Sequence, residues 1–175
     1  MAAALAAAGH EIRFFNAVSD ASRERAERRL PGAKSVSAQE VVEGSQLVLI
    51  AVPDDQLADL VSGLAAIGAF QPGHFVVHTS GRHGLLPLLP AIDAGAIGFA
   101  IHPAMTFTGE VADVARLVAC PFAVTAFGDF RAVAETMVLE MGGEPFWIDD
   151  IDRPIYHAAL SHAANHLTAL IEQSA

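Results

Sequence analysis

Apolar positions along the chain fall into two rhythms. Continuous apolar runs, Leu47-Val48-Leu49-Ile50 within Gln46–Val52, Phe75-Val76-Val77 and Ala96 to Ile101, have the signature of strands buried on both faces. Between and after them, Leu57, Leu60, Val61 and Leu64 recur at helical spacing, as do Phe130, Val133, Met137, Val138 and Met141. Turn residues separate the two: Gly9, Pro31-Gly32, Pro53-Asp54-Asp55, Pro72-Gly73 and Gly142-Gly143. Shorter elements fit the same order. Glu11–Phe15 alternates around Ile12 and Phe14 as a strand, and Ser19 or Asp20 can cap a helix running to Leu30. Lys34–Val36 is a short strand, and Ser37-Ala38-Gln39-Glu40 is a capping box. Leu85–Ile92 reads as a helix kept short by Pro87 and Pro90, and Ala112–Leu117 as a further short helix. The strands Phe122–Thr125 and Pro145–Ile148 flank the helix from Phe130 to Met141. Asp152-Arg153-Pro154 opens a helix to the chain end, with the acid as N-cap and proline in the first turn.

Strand and helix alternate throughout with short turns, so the fold class is α/β, a doubly wound and mostly parallel sheet covered by helices on both faces. Residues 1–150 form the expected nucleotide-binding domain, and 151–175 the start of a helical one. Such a sheet normally opens with a strand, a G-x-G-x-x-G turn and a helix. No G-x-G-x-x-G occurs in these 175 residues, and Met1–Ala8 has the composition of the second half of that helix. The expectation is therefore a Rossmann-like sheet lacking its first strand and glycine turn, truncated at both ends, with Met1 an internal methionine.

Composition narrows the partners. Hydrophobic residues make up 53% of the chain, enough for a large core, and the formal charge is −10. That charge, with Arg23, Arg25, Arg28 and Arg29 interleaved by Glu24 and Glu27, disfavours a nucleic-acid partner. The lone Cys120 excludes an internal disulfide and a cysteine zinc cage, and suits a reducing compartment. No apolar run approaches the ~18 residues of a membrane span, and the start lacks a basic signal-peptide region. The expectation is a cytoplasmic protein with no membrane partner. Lys34 is the only lysine, so lysine-based acid catalysis has little to draw on.

Candidate chemistry gathers at two strand ends. The strand Ala96–Ile101 stops in His102-Pro103, because proline lacks the N–H for a further ladder bond. The neighbouring strand stops in His78-Thr79-Ser80-Gly81. The carboxyl ends of strands are where open α/β sheets place ligands. His102 can bond a carbonyl or donate a proton there, or simply cap a turn; Ser80 can hold a substrate oxygen or cap the next helix. On the last helix His157, Ser161, Asn165 and Thr168 form one polar stripe, and His162 and His166 a second pair at i, i+4. Two histidines one turn apart can bind zinc, but no carboxylate accompanies them, so no metal is expected. Asn16, where an NAD enzyme carries an acid, with Ser19 and Arg23 close behind, favours NADP.

Ala51-Val52-Pro53-Asp54-Asp55, Val77-His78-Thr79-Ser80-Gly81, His102-Pro103-Ala104-Met105-Thr106-Phe107-Thr108-Gly109 and Tyr156 to His166 together resemble one family. It is the Rossmann-like oxidoreductases with a C-terminal domain of unknown function, relatives of pyrroline-5-carboxylate reductase, deazaflavin-dependent NADP reductase, ketopantoate reductase and prephenate dehydrogenase. The resemblance implies an NADP-dependent oxidoreductase that delivers hydride to a small carbonyl or imine. It implies catalytic roles for Ser80, His102 and Asn165, supported by His162, with the Ser161-His162-Asn165 face of the last helix opposite His102. Val52, Pro53, Asp54, Thr79, Gly81 and Pro103 would border the cofactor together with Asn16 and Ser19. Related dehydrogenases carry a lysine where this chain has Ser161, so lysine chemistry does not carry over. Without the glycine turn, NADP binding is expected to be weak or absent. A homodimer through the C-terminal helical region is expected, with Leu160, Leu167, Leu170 and Ile171 on its apolar face. The alternative is a non-catalytic Rossmann-like binding or dimerisation module.

Overall fold

A computed structural model describes residues 1–174. In chain order the elements are α1 (Ala2–Ala7), β1 (Phe14–Phe15), α2 (Asp20–Arg29), β2 (Lys34–Ser35), α3 (Ala38–Glu43) and β3 (Leu47–Ile50). There follow α4 (Asp54–Ala66), β4 (Phe75–His78), α5 (Leu89–Asp93), β5 (Ile97–Pro103), α6 (Ala112–Ala115) and β6 (Pro121–Ala126). The chain closes with α7 (Arg131–Glu140), β7 (Glu144–Trp147) and α8 (Arg153–Ser174). The local signals act as chemistry requires. Ser37 and Glu40 form a reciprocal capping box on α3, and the Ser19 hydroxyl accepts from Ser22 N–H at the start of α2. Gly9 follows α1 at φ 103°, a left-handed conformation that costs glycine least.

Five strands form one sheet in the order β3-β4-β5-β6-β7. Val76 and Val77 on β4 point to opposite faces, and both faces are covered, which explains the unbroken apolar runs. On one face Val48, Ile50 and Val76 pack with Leu57, Val61 and Leu64 of α4 and with Leu88 and Ala91. On the other, Val77, Phe99, Ile101, Phe122 and Val124 pack with Ala4 and Leu5 of α1 and with Ala134, Met137 and Val138 of α7.

Two features go beyond the alternating pattern. β6 runs antiparallel to β5, whereas β3-β4-β5 and β6-β7 are parallel. Residues 104–120 hold only the four-residue α6, so the chain turns back beside β5 from the end where β5 stops rather than crossing over the sheet. In addition, β1 and β2 pair only with each other. The sheet is thus interrupted where a doubly wound order carries its first strand, between the second strand and the fourth. That matches the sequence expectation of a sheet without its glycine-turn unit.

His78 shows how polar groups are accommodated at the buried strand ends. Its ring is fully buried. Nδ1 accepts from Ser80 N–H at 3.2 Å, so the ring proton sits on Nε2 and is donated to the Gly84 carbonyl at 2.7 Å. Burial pushes its pKa down to about 4, against the opposing effect of the Gly84 carbonyl, and Arg153 adds to the depression. The unfolded ring takes up a proton below about 6.5 and the folded ring does not until about 4. The stabilisation is therefore complete above pH 6.5 and declines as pH falls to 4, by up to about 1.4 kcal/mol per pH unit. The His78 ring protons, followed by NMR, should show no titration between pH 8 and 5. Titration near the ordinary histidine value would contradict the buried neutral ring.

Candidate active site at the carboxyl ends of the strands

The strand ends are gathered by a residue on another element. Arg153, the first residue of α8, is fully buried although it carries a guanidinium. Its Nε donates to Thr125 Oγ1 at 2.8 Å, and Nη1 to the Ser80 carbonyl at 3.0 Å. Nη2 donates to the carbonyls of Ala100 at 2.7 Å and Ala123 at 3.1 Å. Thr125 passes its own proton to the Ile148 carbonyl at 2.7 Å. One side chain thus ties the end of β4 to β5 and β6 and fixes where α8 leaves the sheet. Neutral acceptors surround it, so burial holds its pKa down to about 10, with Tyr156 and Asp150 opposing. Asp150, just before α8, adds a second tie: its Oδ1 accepts from Leu85 N–H at 2.8 Å. Gly84 leaves room for that carboxylate, since a Cβ there would stand 1.4 Å from Asp150 Oδ1.

With α8 so placed, its first turn faces His102 at the end of β5. His102 Nδ1 lies 2.8 Å from the Tyr156 hydroxyl, and the two rings meet edge to face at 5.6 Å. The His157 ring stands 6.4 Å away at 83°. Burial pushes the His102 pKa down to about 4, reinforced by Arg153 and His157 and opposed by Asp54. Burial likewise pushes the Tyr156 phenol up to about 12, against Arg153. At neutral pH the pair is a neutral imidazole and a protonated phenol. His102 therefore stands there as a hydrogen-bonding group.

Past the strand end, the chain from Ala104 to Asp113 bends over the carboxyl edge. Asp113 is the buried anchor of this loop. It accepts from Thr108 N–H at 2.9 Å, Gly109 N–H at 2.8 Å and Thr108 Oγ1 at 3.0 Å. Burial alone would raise its pKa, but these bonds and Arg116 hold it below the usual carboxylate range. Arg29 of α2 donates to the Gly109 carbonyl, so the loop after His102 reaches across to the β1–α2 unit.

The sequence-predicted residues divide into four groups. Ser80, Gly81, His102 and Pro103 lie together at the ends of β4 and β5, with Thr79 beside them in the chain. The Ser80 hydroxyl accepts from Arg82 N–H at 3.2 Å and His83 N–H at 3.1 Å, so its turn-capping role is realised. Val52, Pro53 and Asp54 lie at the end of β3 and the start of α4, with Pro53 as the N-cap residue. Asn16 and Ser19 follow β1: Asn16 Nδ2 donates to the Val36 carbonyl at 2.7 Å, and Ser19 caps α2. The fourth group is not brought to the site. His162 and Asn165 are exposed, one to two turns beyond Tyr156 and His157 along α8, and His162 stacks on His166 at 3.9 Å. Their place opposite His102 is taken by Tyr156 and His157, because Arg153 docks only the first turns of the helix. Among the described residues no group of three metal-ligating side chains occurs. Sequence reasoning missed Arg153 and Tyr156. One signal was available: Arg153 is the only lysine or arginine after Arg131.

Comparison with known proteins agrees with this architecture. A family model described as a Rossmann-like domain matches residues 1–103, and a domain of unknown function, DUF2520, matches residues 120–175. The chain belongs to the Rossmann-like domain family. Among solved structures, it is similar to BF3122 from Bacteroides fragilis, provisionally named an NADP oxidoreductase, with TM-score 0.77 and 18% identity over 99% of this chain and 65% of that one. It is also similar to prephenate dehydrogenase from Aquifex aeolicus, with TM-score 0.74 and 12% identity over 98% of this chain and 65% of that one. Imine reductase from a Pseudomonas species gives 0.72 and 19% identity over 98% of this chain and 59% of that one. The chain therefore spans under two thirds of the length of these neighbours. Among curated sequences none matches it.

Replacing Arg153 by leucine strips four acceptors of a charged donor at once. The substitution should lower unfolding free energy by about 3 kcal/mol or more, read from denaturant midpoints. A loss below about 1 kcal/mol would show that the guanidinium does not hold the strand ends together.

Proposed function

We propose that this chain is the nucleotide-binding part of an NADP-dependent reductase acting on a small carbonyl or imine. The observation that carries the reading is the convergence of His102, Tyr156, His157 and Gly81 at the carboxyl ends of parallel strands in a Rossmann-like domain. A nicotinamide cofactor would supply the hydride. Around it, His102 offers a hydrogen bond to the oxygen or nitrogen that gains negative charge, in a partly water-excluded site where such a bond counts for more than in water. Buried Arg153 adds positive potential next to that atom. The names of the structural neighbours, among them an NADP oxidoreductase and an imine reductase, support the same class of chemistry.

The residues fit the two ends of such a cofactor unequally. The strand ends of β4 and β5 suit a nicotinamide and a substrate. The diphosphate end is poorly provided: no G-x-G-x-x-G occurs in the chain, and α4 begins with Asp54 and Asp55, which repel phosphate. NADP binding by this chain is accordingly weak. The preference for NADP over NAD rests on uncharged Asn16, with Ser19 and Arg23 close behind it in the chain.

A second reading, a non-catalytic association module, is favoured by α8. Leu167, Leu170 and Ile171 are 60%, 60% and 61% exposed, an apolar strip suited to pairing two copies of the chain.

The two readings separate in one assay. NADPH titrated by fluorescence should bind weakly, and NADPH oxidation with small aldehydes or cyclic imines should fall about 100-fold in His102→Ala. An unchanged rate in that variant, or no oxidation with any such substrate at high NADPH, would favour the association module. Tight NADPH binding would overturn the account of the diphosphate end.

A further inference from the structure

The sheet edges of this fold are not alike. β7 receives bonds from β6 and gives Glu144 and Ile148 N–H to it, so Pro145 and Trp147 carry the outward backbone groups, and Pro145 has no N–H to offer. β2 is only two exposed polar residues long. Both of these edges are blunted against further pairing. β3 is not. Phe75 N–H donates to the Gln46 carbonyl at 2.8 Å and Thr79 N–H to the Ile50 carbonyl at 3.2 Å, so alternate residues face β4. Leu47 and Leu49 therefore direct N–H and carbonyl away from β4, on a strand with neither proline nor charge. β1 has the same deficit. Lys34 N–H donates to the Arg13 carbonyl at 2.9 Å and Val36 N–H to the Phe15 carbonyl at 3.0 Å, which leaves the Phe14 groups facing away from β2. Among the described residues no strand pairs with either edge.

The two open edges belong to one place. The Phe14 ring packs against Gly44, just before β3, where a Cβ would stand 2.6 Å from Phe14 Cε2, and Arg13 Nη1 donates to the Gly44 carbonyl at 3.4 Å. α1 and α3 cover opposite faces there. Ala4 and Leu5 of α1 pack with the half-buried Leu47 and Leu49, and Val42 of α3 packs with Val48 and Ile50. At the amino end of β3, the face shared with α7 opens into a cavity of about 570 Å³ lined by Leu47, Phe75, Val133 and Met137 and by the His10–Glu140 pair. Helices over both faces, free backbone groups on two sides and an apolar hollow at one end describe a position for a strand.

We propose that β1 and β3 bound an acceptor slot for one extended, uncharged, apolar segment of a partner chain, which joins the two sheets by strand addition. The occupant follows from the slot. Backbone donors and acceptors on two sides call for a segment with both of its own edges free. A strand already seated in a second copy's sheet has only one. The side chains of such a segment alternate between the α1 face and the α3 face, and both faces are apolar. Valine, isoleucine or leucine is therefore needed at successive positions, as in β3 itself. A charged side chain there would be buried without a partner. The slot goes beyond the reductase reading and does not rest on it. An occupied slot also fixes the β1–α2 unit, with Asn16 and Ser19, against the five-stranded sheet.

The test is amide hydrogen exchange, followed by NMR on the nitrogen-15-labelled chain. The probe is a synthetic peptide of alternating valines and isoleucines with two lysines at each end for solubility. In the free chain Leu49 and Phe14 N–H should exchange at least about tenfold faster than Val48 and Ile50 N–H, which face β4. Saturating peptide should slow Leu49 and Phe14 together by about tenfold or more. A copy of the peptide N-methylated at alternate residues keeps its apolar side chains and loses one pairing edge, and it should give no such protection. Leu49 already as protected as Ile50 in the free chain overturns the proposal, and so does a peptide that protects neither residue. Protection of Leu49 without Phe14 overturns the slot in favour of a single open edge. Equal protection by the methylated copy overturns strand addition in favour of apolar adsorption. Protection of Leu49 that grows with chain concentration in the absence of peptide overturns the partner segment in favour of a second copy.

Discussion

One buried guanidinium organises the functional end of this molecule. Arg153 is surrounded by the carbonyls of Ser80, Ala100 and Ala123 and by the Thr125 hydroxyl, and it reaches the three central strands of the sheet from outside it. Burying an unpaired charge is costly, and the cost is offset only while every donor finds an acceptor. The acceptors belong to β4, β5 and β6, so the arginine is comfortable in one arrangement of the strand ends. That constraint fixes the start of α8, and with it Tyr156 and His157.

The electrostatic consequences follow from the same placement. Burial, reinforced by the positive charge of Arg153, discourages either imidazole from taking up a second proton, so His78 and His102 are both held neutral to about pH 4. Their roles nevertheless differ. His78 has both ring nitrogens committed, to Ser80 N–H and the Gly84 carbonyl, and holds the turn after β4 in shape. His102 has one nitrogen committed to Tyr156, and its Nε2, packed close over Gly81, has no hydrogen-bond partner among the described residues. Two residues of the same type, on neighbouring strands, are separated into scaffold and site by what their second nitrogen meets.

The fold was legible because its signals are local. Runs such as Leu47-Val48-Leu49-Ile50 can be stable only between two covered faces, and Ser37 to Glu40 declares its helix start without tertiary help. The antiparallel β6 was not legible, since nothing in residues 104–120 states that the chain turns back rather than crosses over. The site was half legible. His102 and Ser80 sit at strand ends, which periodicity locates, but their partners come from a helix whose docking depends on one arginine. Reading α8 as a wheel gave its stripes and not its depth, so His162 and Asn165 were drawn toward a cleft that only the first turns reach. Tyr156, one residue before the His157 stripe, escaped attention because its role lies in a single bond to His102.

The claim on which the rest depends is that Arg153 brings Tyr156 and His157 to His102. Ring-to-ring proton contacts measured by NMR test it directly, in the unmodified chain and in Arg153→Leu under conditions where both remain folded. The account predicts cross-peaks from the His102 ring to Tyr156, and loss of those cross-peaks in the variant while contacts between β4 and β5 persist. Cross-peaks that survive without the guanidinium would contradict it.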